Sequence, residues 1–576
     1  MASLSTFLAA ALAFTFLPVS QGAAAPQPSC RCLPGDTCWP KSQEWTTLNN
    51  TVGGRLIATK PLAAPCHDPT YNAAECANLK NLWAFPNLHE EDPSSIMNPW
   101  QQNASCDPFT AEQSPCLLGN YVSYSIKVTS WQDVAAGIQF AQKKNIRLVV
   151  KNTGHDYLGK STGKGALGLW THNLRSSQVI KQYKSAYYNG PALKVEAGVL
   201  GIEAQQAAHA AGLRVIGGSC PSVGITGGYT QGGGHSVLSS EYGLGADQVL
   251  EWEVVTANGD RIIATPSNNA DMYWALSGGG PGTFGVVISM TVRAHQDGAV
   301  GGATLSFASD GISKDTYWKA IAAWQTQLPA LVDGGATAIY IMTPESFSIE
   351  PLTAPSKSEA EVDALLQPFT KKLTELNIKY SRNLSSEATF LDHYDRYFGP
   401  LPYGGYPTAQ LLGGRLVPRS VVEQNNDGLT AVVRDITENS SFYVAATALS
   451  VNNGPNRTQP ISSNSVLPAW RDALLTVLVP SPWNFTQPRS VEEQAENQLT
   501  NSLIPKLTAV TPNSGTYMNE ADFHLASWKQ DFYGVNYDKL RSIKAKYDPG
   551  SLFYAVTAVG SDAWNVADDG RMCRAQ

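Results

Sequence analysis

At 576 residues and a formal net charge of −7, the chain is too long for one hydrophobic core. It also lacks the basic excess that would mark a nucleic-acid or acidic-membrane partner. An apolar content of 43% with 15% charge excludes disordered and fibrous classes and describes a globular protein of roughly two or three domains.

Residues 4–17 are an uncharged apolar run followed by small residues at 22–25, the pattern of a secretory signal peptide spanning 1–25, although the usual basic start is missing. The run is shorter than the ~20 residues of a spanning helix, so the expected location is extracellular, with no membrane partner. Sequons at Asn49, Asn103, Asn383, Asn439, Asn456 and Asn484 agree with export and glycosylation. Residues 26–118 are a Cys-, Pro- and Asn-rich extension with a short helix expected at 73–83 and no visible chemistry. Seven of the nine cysteines crowd this end, Cys573 stands at the other, and Cys220 is alone in a glycine-rich loop. In an oxidising compartment the first eight read as a disulfide framework that fastens the extension to the body, with pairing open.

From residue 120 the texture becomes alternating strands and helices. Strands are expected at 121–128, 146–150, 167–169 and 193–196, and helices at 130–143, capped by Ser130, and 201–211, ended by Gly212. A hairpin turning on Asn258-Gly259 joins 249–256 to 261–264, a short helix covers 272–276, and a strand covers 286–293. Residues 299–510 carry longer amphipathic helices (313–331, 358–376, 468–479) between strands such as 336–342 and 442–451, a sheet covered by helices. Residues 511–576 form a Tyr/Trp-rich segment with a helix at 535–546.

Two glycine motifs invite a nucleotide reading. Gly154-x4-Gly159-Lys160-Ser161 matches a Walker A loop, but that loop must open a helix. Here Thr162-Gly163-Lys164-Gly165 and a strand follow, so Lys160 loses that role. Gly280-x-Gly282-x-x-Gly285 matches a dinucleotide fingerprint, yet a helix precedes it and a strand follows, the reverse of the required order. With the stretch at 217–235, these loops suggest backbone wrapped around one extended phosphate-bearing ligand.

Three segments carry a family resemblance. They are Asn152-Thr153-Gly154-His155-Asp156, the run Gly218-Ser219-Cys220-Pro221-Ser222-Val223-Gly224-Ile225-Thr226-Gly227-Gly228, and Gly232-Gly233-Gly234-His235. They resemble the FAD-binding domain of the vanillyl-alcohol-oxidase superfamily. The segment Tyr242-Gly243-Leu244-Gly245-Ala246-Asp247 and the C-terminal Asn536-Tyr537 with Tyr547-Asp548-Pro549 are similar to the berberine-bridge-enzyme and oligosaccharide-oxidase branch. The opening CRCLPGDTCWP resembles fungal isoamyl-alcohol-oxidase-like members.

The resemblance implies an α+β fold: a two-part PCMH-type FAD-binding domain (119–298 and the returning segment 511–576) around a substrate domain (299–510) with a helix-covered antiparallel sheet. It implies FAD attached through His155 and Cys220, or through His155 alone, with Asn152, Thr153, Gly154, Gly218, Gly224, Gly227, Gly228, Gly233, Gly234 and Asn536 against the cofactor. No metal is expected. It further implies oxidation of a CH–OH group of an alcohol, sugar or secondary metabolite, with O2 as acceptor and H2O2 as product. The alternatives are a secondary-metabolite oxidase or dehydrogenase, including oxidative cyclisation, and a non-catalytic secreted binding protein. Relatives use a tyrosine in a Y-x-N-Y-x-D segment; this chain has Tyr517-Met518-Asn519-Glu520-Ala521-Asp522, so Glu520 takes the tyrosine's place. Glu520 is therefore the candidate base, with Tyr517 and Asp522 as further catalytic candidates; the competing reading of Glu520 is a surface carboxylate.

Overall fold

The computed structural model describes residues 30–575 apart from 104–105, 406–407 and 453–457. The expected signal peptide and the sequon asparagine Asn456 lie outside the described residues.

Three strands run parallel, Tyr124–Lys127 and Leu148–Lys151 each pairing with Leu167–Trp170, and the short Leu56–Ala58 closes one edge antiparallel. The crossover helix Trp131–Lys144 is capped by Ser130, whose hydroxyl accepts the Asp133 amide, and its apolar side buries Val134, Ile138 and Ala141. Beside this sheet lies a five-stranded antiparallel sheet in the order Ser177–Lys184, Asn189–Glu196, Val286–Arg293, Val249–Val255, Arg261–Ala264. The last two form the expected hairpin, and Gly259 takes the positive φ (84°) that its turn requires.

Residues 300–482 supply a seven-stranded sheet in which every pairing is antiparallel. Helices Lys314–Asp333, Glu359–Glu375 and Asn426–Glu438 cover one face. There Trp324 meets Tyr340 and Phe347 edge to face (5.8 and 6.0 Å between ring centres), as Phe347 meets Phe369 (5.9 Å), while Trp324 lies tilted on Phe369 at 5.1 Å. The architecture is the expected α+β arrangement. The helix expected at 468–479 is not formed: a single 3-10 turn, Pro468–Arg471, leads into a strand, Ala473–Pro482. That strand lies between two others and is buried on both faces, so its apolar residues run continuously and lose the alternation that marks a strand.

The N-terminal extension is bound differently from expectation. Cys32–Cys38, Cys66–Cys76 and Cys106–Cys116 close short local loops, and only Cys30–Cys573 reaches the rest of the chain. What seats the extension is packing and pairing: Trp45 stacks on Tyr124 at 4.1 Å, and the edge strand Leu56–Ala58 comes from the extension itself. Cys220 is the one free cysteine among the described residues.

The C-terminal segment returns to the first two sheets. Buried Lys544, on the helix Tyr537–Tyr547, donates to Asp548 (2.6 Å) and to the carbonyls of Thr283 (2.6 Å) and Phe553 (2.8 Å). Asp548 in turn accepts the amides of Leu552 and Phe553. Burial pulls the Lys544 ammonium below its usual range, against the opposing pull of Asp548. Removing one partner of a buried pair strands the other. K544A is therefore expected to lower unfolding stability by about 3–5 kcal/mol in urea titration; a loss below about 1 kcal/mol would contradict this role.

Candidate active site

Strand Leu148–Lys151 ends in the turn that carries His155. Gly154 sits at φ 98°, where a Cβ would stand 3.1 Å from the Ser95 carbonyl oxygen, so the turn needs glycine. Asp156 holds the turn closed by accepting the amides of Leu158, Lys160 and Ser161. No helix begins at Lys160-Ser161; the chain turns and enters the strand Leu167–Trp170. The loop carrying Cys220 comes from the far side. His155 Nε2 is 2.8 Å from Ser222 Oγ, and Cys220 Sγ is 3.5 Å from the same hydroxyl. One serine thus joins the two residues that the sequence singles out. Burial pushes the Cys220 thiol up, so it is held in the protonated form at neutral pH.

The two loops open onto a cavity of about 410 Å3 that runs between the first two sheets and the uncovered face of the seven-stranded sheet. Asn152, Thr153, Gly154, His155, Gly218 and Cys220 line it, as do Gly224, Gly227, Gly228, Tyr517 and Glu520. Four expected site residues do not. Gly233 and Gly234 shape the turn before His235 with φ of 119° and 75°. Asp522 is buried and accepts the His524 amide, and Asn536 donates to the carbonyls of Ser465 and Val466, packing the C-terminal segment in place.

Glu520 enters from the C-terminal segment. His235 Nε2 lies 3.1 Å from both of its carboxylate oxygens. Asn519 fixes the segment by donating to the Gly228 carbonyl (2.7 Å) and to the Tyr517 hydroxyl (2.8 Å). Burial raises the Tyr517 phenol far above its ordinary value, with Glu520 adding to the effect, so Tyr517 stays protonated. Tyr157, also at the cavity, is raised by the same cause.

Several groups at or beside the cavity have no role that the sequence motifs reveal. His235 lines the cavity, and Ser222, outside the lining, touches both His155 and Cys220. Lys160, set aside with the Walker reading, lines the cavity, and its Nζ is buried without a hydrogen-bond partner among the described residues. Burial pulls that ammonium down from its usual value, while Asp156 opposes the effect. Glu90, from the extension read as devoid of chemistry, lies 3.5 Å from His155 Nε2.

The residues fit a flavin nucleotide. Side-chain-free backbone at Gly224, Gly227 and Gly228 allows close approach, and a Cβ on Gly224 would stand 2.0 Å from Asn152 Nδ2. Lys160 Nζ and Asn152 Oδ1 are orphaned polar atoms on the wall, ready for a polar and anionic ligand.

Comparison with known proteins decides the family. Residues 122–265 match the model described as FAD binding domain, and residues 516–560 match that described as Berberine and berberine like. The FAD-linked oxidoreductase ZEB1 of Gibberella zeae is 45% identical over 97% of this chain and 98% of its own. The chain belongs to the vanillyl-alcohol-oxidase superfamily of FAD-linked oxidoreductases. The crystal structure of the VAO-type flavoprotein MtVAO615 from Myceliophthora thermophila superposes with a TM-score of 0.91 at 46% identity, over 95% of this chain and 100% of that one. The glucooligosaccharide oxidase of Acremonium strictum, 19% identical, shares the fold at a TM-score of 0.61 over 76% of this chain and 92% of that one; its FAD is described as 6-S-cysteinyl, 8α-N1-histidyl.

In this superfamily member the fit of Gly224 against Asn152 can be tested directly. G224A forces Asn152 off the Ala197 carbonyl that it bonds at 2.8 Å. A lost internal hydrogen bond costs ~1 kcal/mol of stability. In urea titration G224A should be about 1 kcal/mol less stable than the wild type while the far-UV circular dichroism of the folded state is unchanged; wild-type stability would show that this contact does not shape the site.

Proposed function

We propose that the protein is a secreted oxidase that removes a hydride from a CH–OH group, with a flavin held covalently by His155 and Cys220, and that passes the electrons to O2 to give H2O2. The observation that carries the reading is the pairing of Glu520 with His235 at 3.1 Å on the wall of the cavity into which His155 and Cys220 open. FAD, when bound, supplies the hydride acceptor. The remaining work belongs to the chain. Glu520 takes the substrate hydroxyl proton, and His235 orients the carboxylate through both oxygens and shares the proton it receives. Tyr517 is unsuited to act as base because burial keeps its phenol protonated; its hydroxyl and ring pack against Asn519 and His235. The cysteinyl and histidyl attachment described for glucooligosaccharide oxidase supports a bicovalent link here, as does the shared contact of His155 and Cys220 with Ser222. Export is supported by the four disulfides. Residues 119–298 and 511–576 then act as the flavin-holding part and 299–510 as the substrate-facing part.

The substrate wall favours the secondary-metabolite reading over a sugar. On the uncovered face of the seven-stranded sheet, Ile339, Ile341, Leu412, Leu478 and Pro480 line the cavity, with Ala445 opposite both Ile341 and Leu478 in register. An oligosaccharide needs a wall of hydrogen-bonding side chains; here Glu350, Thr408, Gln410, Tyr443 and Thr447 stand among apolar side chains, a mixed wall that suits a mainly apolar ring or chain with a few polar groups.

Two measurements test these readings. E520Q should slow flavin reduction by substrate at least about tenfold in anaerobic stopped flow; wild-type reduction would remove Glu520 from the mechanism. In a peroxide-release panel, apolar cyclic and long-chain alcohols should be turned over faster than oligosaccharides, and the opposite ranking would overturn the substrate assignment.

A further inference from the structure

The extension places a buried carboxylate against His155. Glu90 ends the short helix Pro86–Glu90, and its residue is 1% exposed. Both carboxylate oxygens are buried and without a hydrogen-bond partner among the described residues. Such a group is costly unless a charge or a donor faces it. Lys151 lies close enough to feel the Glu90 charge, but its Nζ directs its hydrogen bonds to the backbone carbonyls of His89 (3.1 Å) and Asp92 (2.8 Å) in the same turn. What Glu90 faces is His155, with Oε1 3.5 Å from Nε2. The same nitrogen meets Ser222 Oγ at 2.8 Å, and Nε2 is the only atom of that ring with a hydrogen-bond partner among the described residues.

Resting on the covalent-flavin reading above, we infer that Glu90 is a positioning residue for flavin attachment: it fixes the His155 ring with Nε2 as proton carrier and leaves Nδ1 as the nucleophile. The chemistry needs such a group. A neutral imidazole that forms a bond through Nδ1 while keeping its Nε2 proton becomes an imidazolium, a buried cation beside a carboxylate that can stabilise it and take the proton. A bond forms between His155 Nδ1 and the flavin 8α carbon, and one C–H bond of that methyl breaks. The Nε2 proton passes to Glu90 and on to solvent, and the C–H proton is also released. Two electrons go to dioxygen, which leaves with two protons as H2O2. Ser222, touching both His155 and Cys220, holds the two attachment points at one edge.

The test uses the full-length purified protein and reads the site of attachment by peptide mass after acid denaturation, with H155A as the blank. In E90Q, which keeps the shape and removes the charge, the share of chains carrying flavin on His155 should fall at least about tenfold. Flavin on Cys220, whose thiol the Glu90 charge helps to push up, should not fall, and the thermal midpoint should stay near wild type, a separation that a merely structural role would not give. E90D, which keeps a carboxylate, should retain attachment at His155 in part, and it decides the matter if E90Q does not fold. Wild-type occupancy of His155 in E90Q, or a folded E90D with His155 bare, overturns the inference. Absence of flavin from His155 in the wild type would overturn the covalent reading itself, and this inference with it.

Discussion

The 2.8 Å contact between His155 Nε2 and Ser222 Oγ is the constraint around which the site is built. It joins a turn at the end of a parallel strand to a glycine loop that follows the short strand Leu213–Arg214, and it places the Cys220 sulfur within 3.5 Å of the same hydroxyl. Each loop alone is a tight turn with a bare backbone. Together they define one edge at which a planar ring can be held from two sides. The Cys220 thiol, raised by burial, is a poor free nucleophile, so its reactivity depends on what is brought against it and on how that edge is kept in place.

Keeping it in place is the task of the C-terminal segment, which crosses back over the whole molecule. Buried Arg415, on the strand Gln410–Pro418, donates to Asp531 at 2.7 Å and to Thr511, tying the segment to the seven-stranded sheet. Lys544 and Asp548 tie it to the loop before the strand Val286–Arg293. Arg471 spans to Asp247 with two bonds of 2.7–2.8 Å, closing the sheet layer against the glycine-rich side. Between these clamps Asn519 meets the Gly228 carbonyl, and Glu520 is delivered to His235. Charged clusters outside the cavity lining therefore set the position of the Glu520 carboxylate on its wall. The arrangement also accounts for the motif dipeptide Tyr547-Asp548: Tyr547 donates to Asp271 and Asp548 pairs with Lys544, which hold the segment down.

How much could be read beforehand followed from how local each signal is. His155, Cys220 and the glycines of their loops sit in short contiguous motifs, and the order of helix and strand around Lys160 and Gly280 excluded the Walker and Rossmann alternatives. Glu520 was legible because it replaces an expected residue in a recognisable segment. His235 and Ser222 were in view but looked like filler, since their importance is a distance to a residue far along the chain. Glu90 was out of reach: a single carboxylate in an irregular Cys-rich stretch carries no periodicity or spacing that points to a partner. Asn536 illustrates the converse, a motif residue whose amide closes the fold. In the sheet layer, the strand Ala473–Pro482 defeated pattern reading because burial on both faces erases alternation, and its apolar run then fits a helix equally well.

The central claim, that two loops hold one flavin by two bonds, is tested most directly by mass analysis of a complete proteolytic digest of the wild-type protein. The account predicts a single species in which the peptides containing His155 and Cys220 are joined through one FAD. Recovery of both peptides unmodified, with all flavin released by acid, would contradict it.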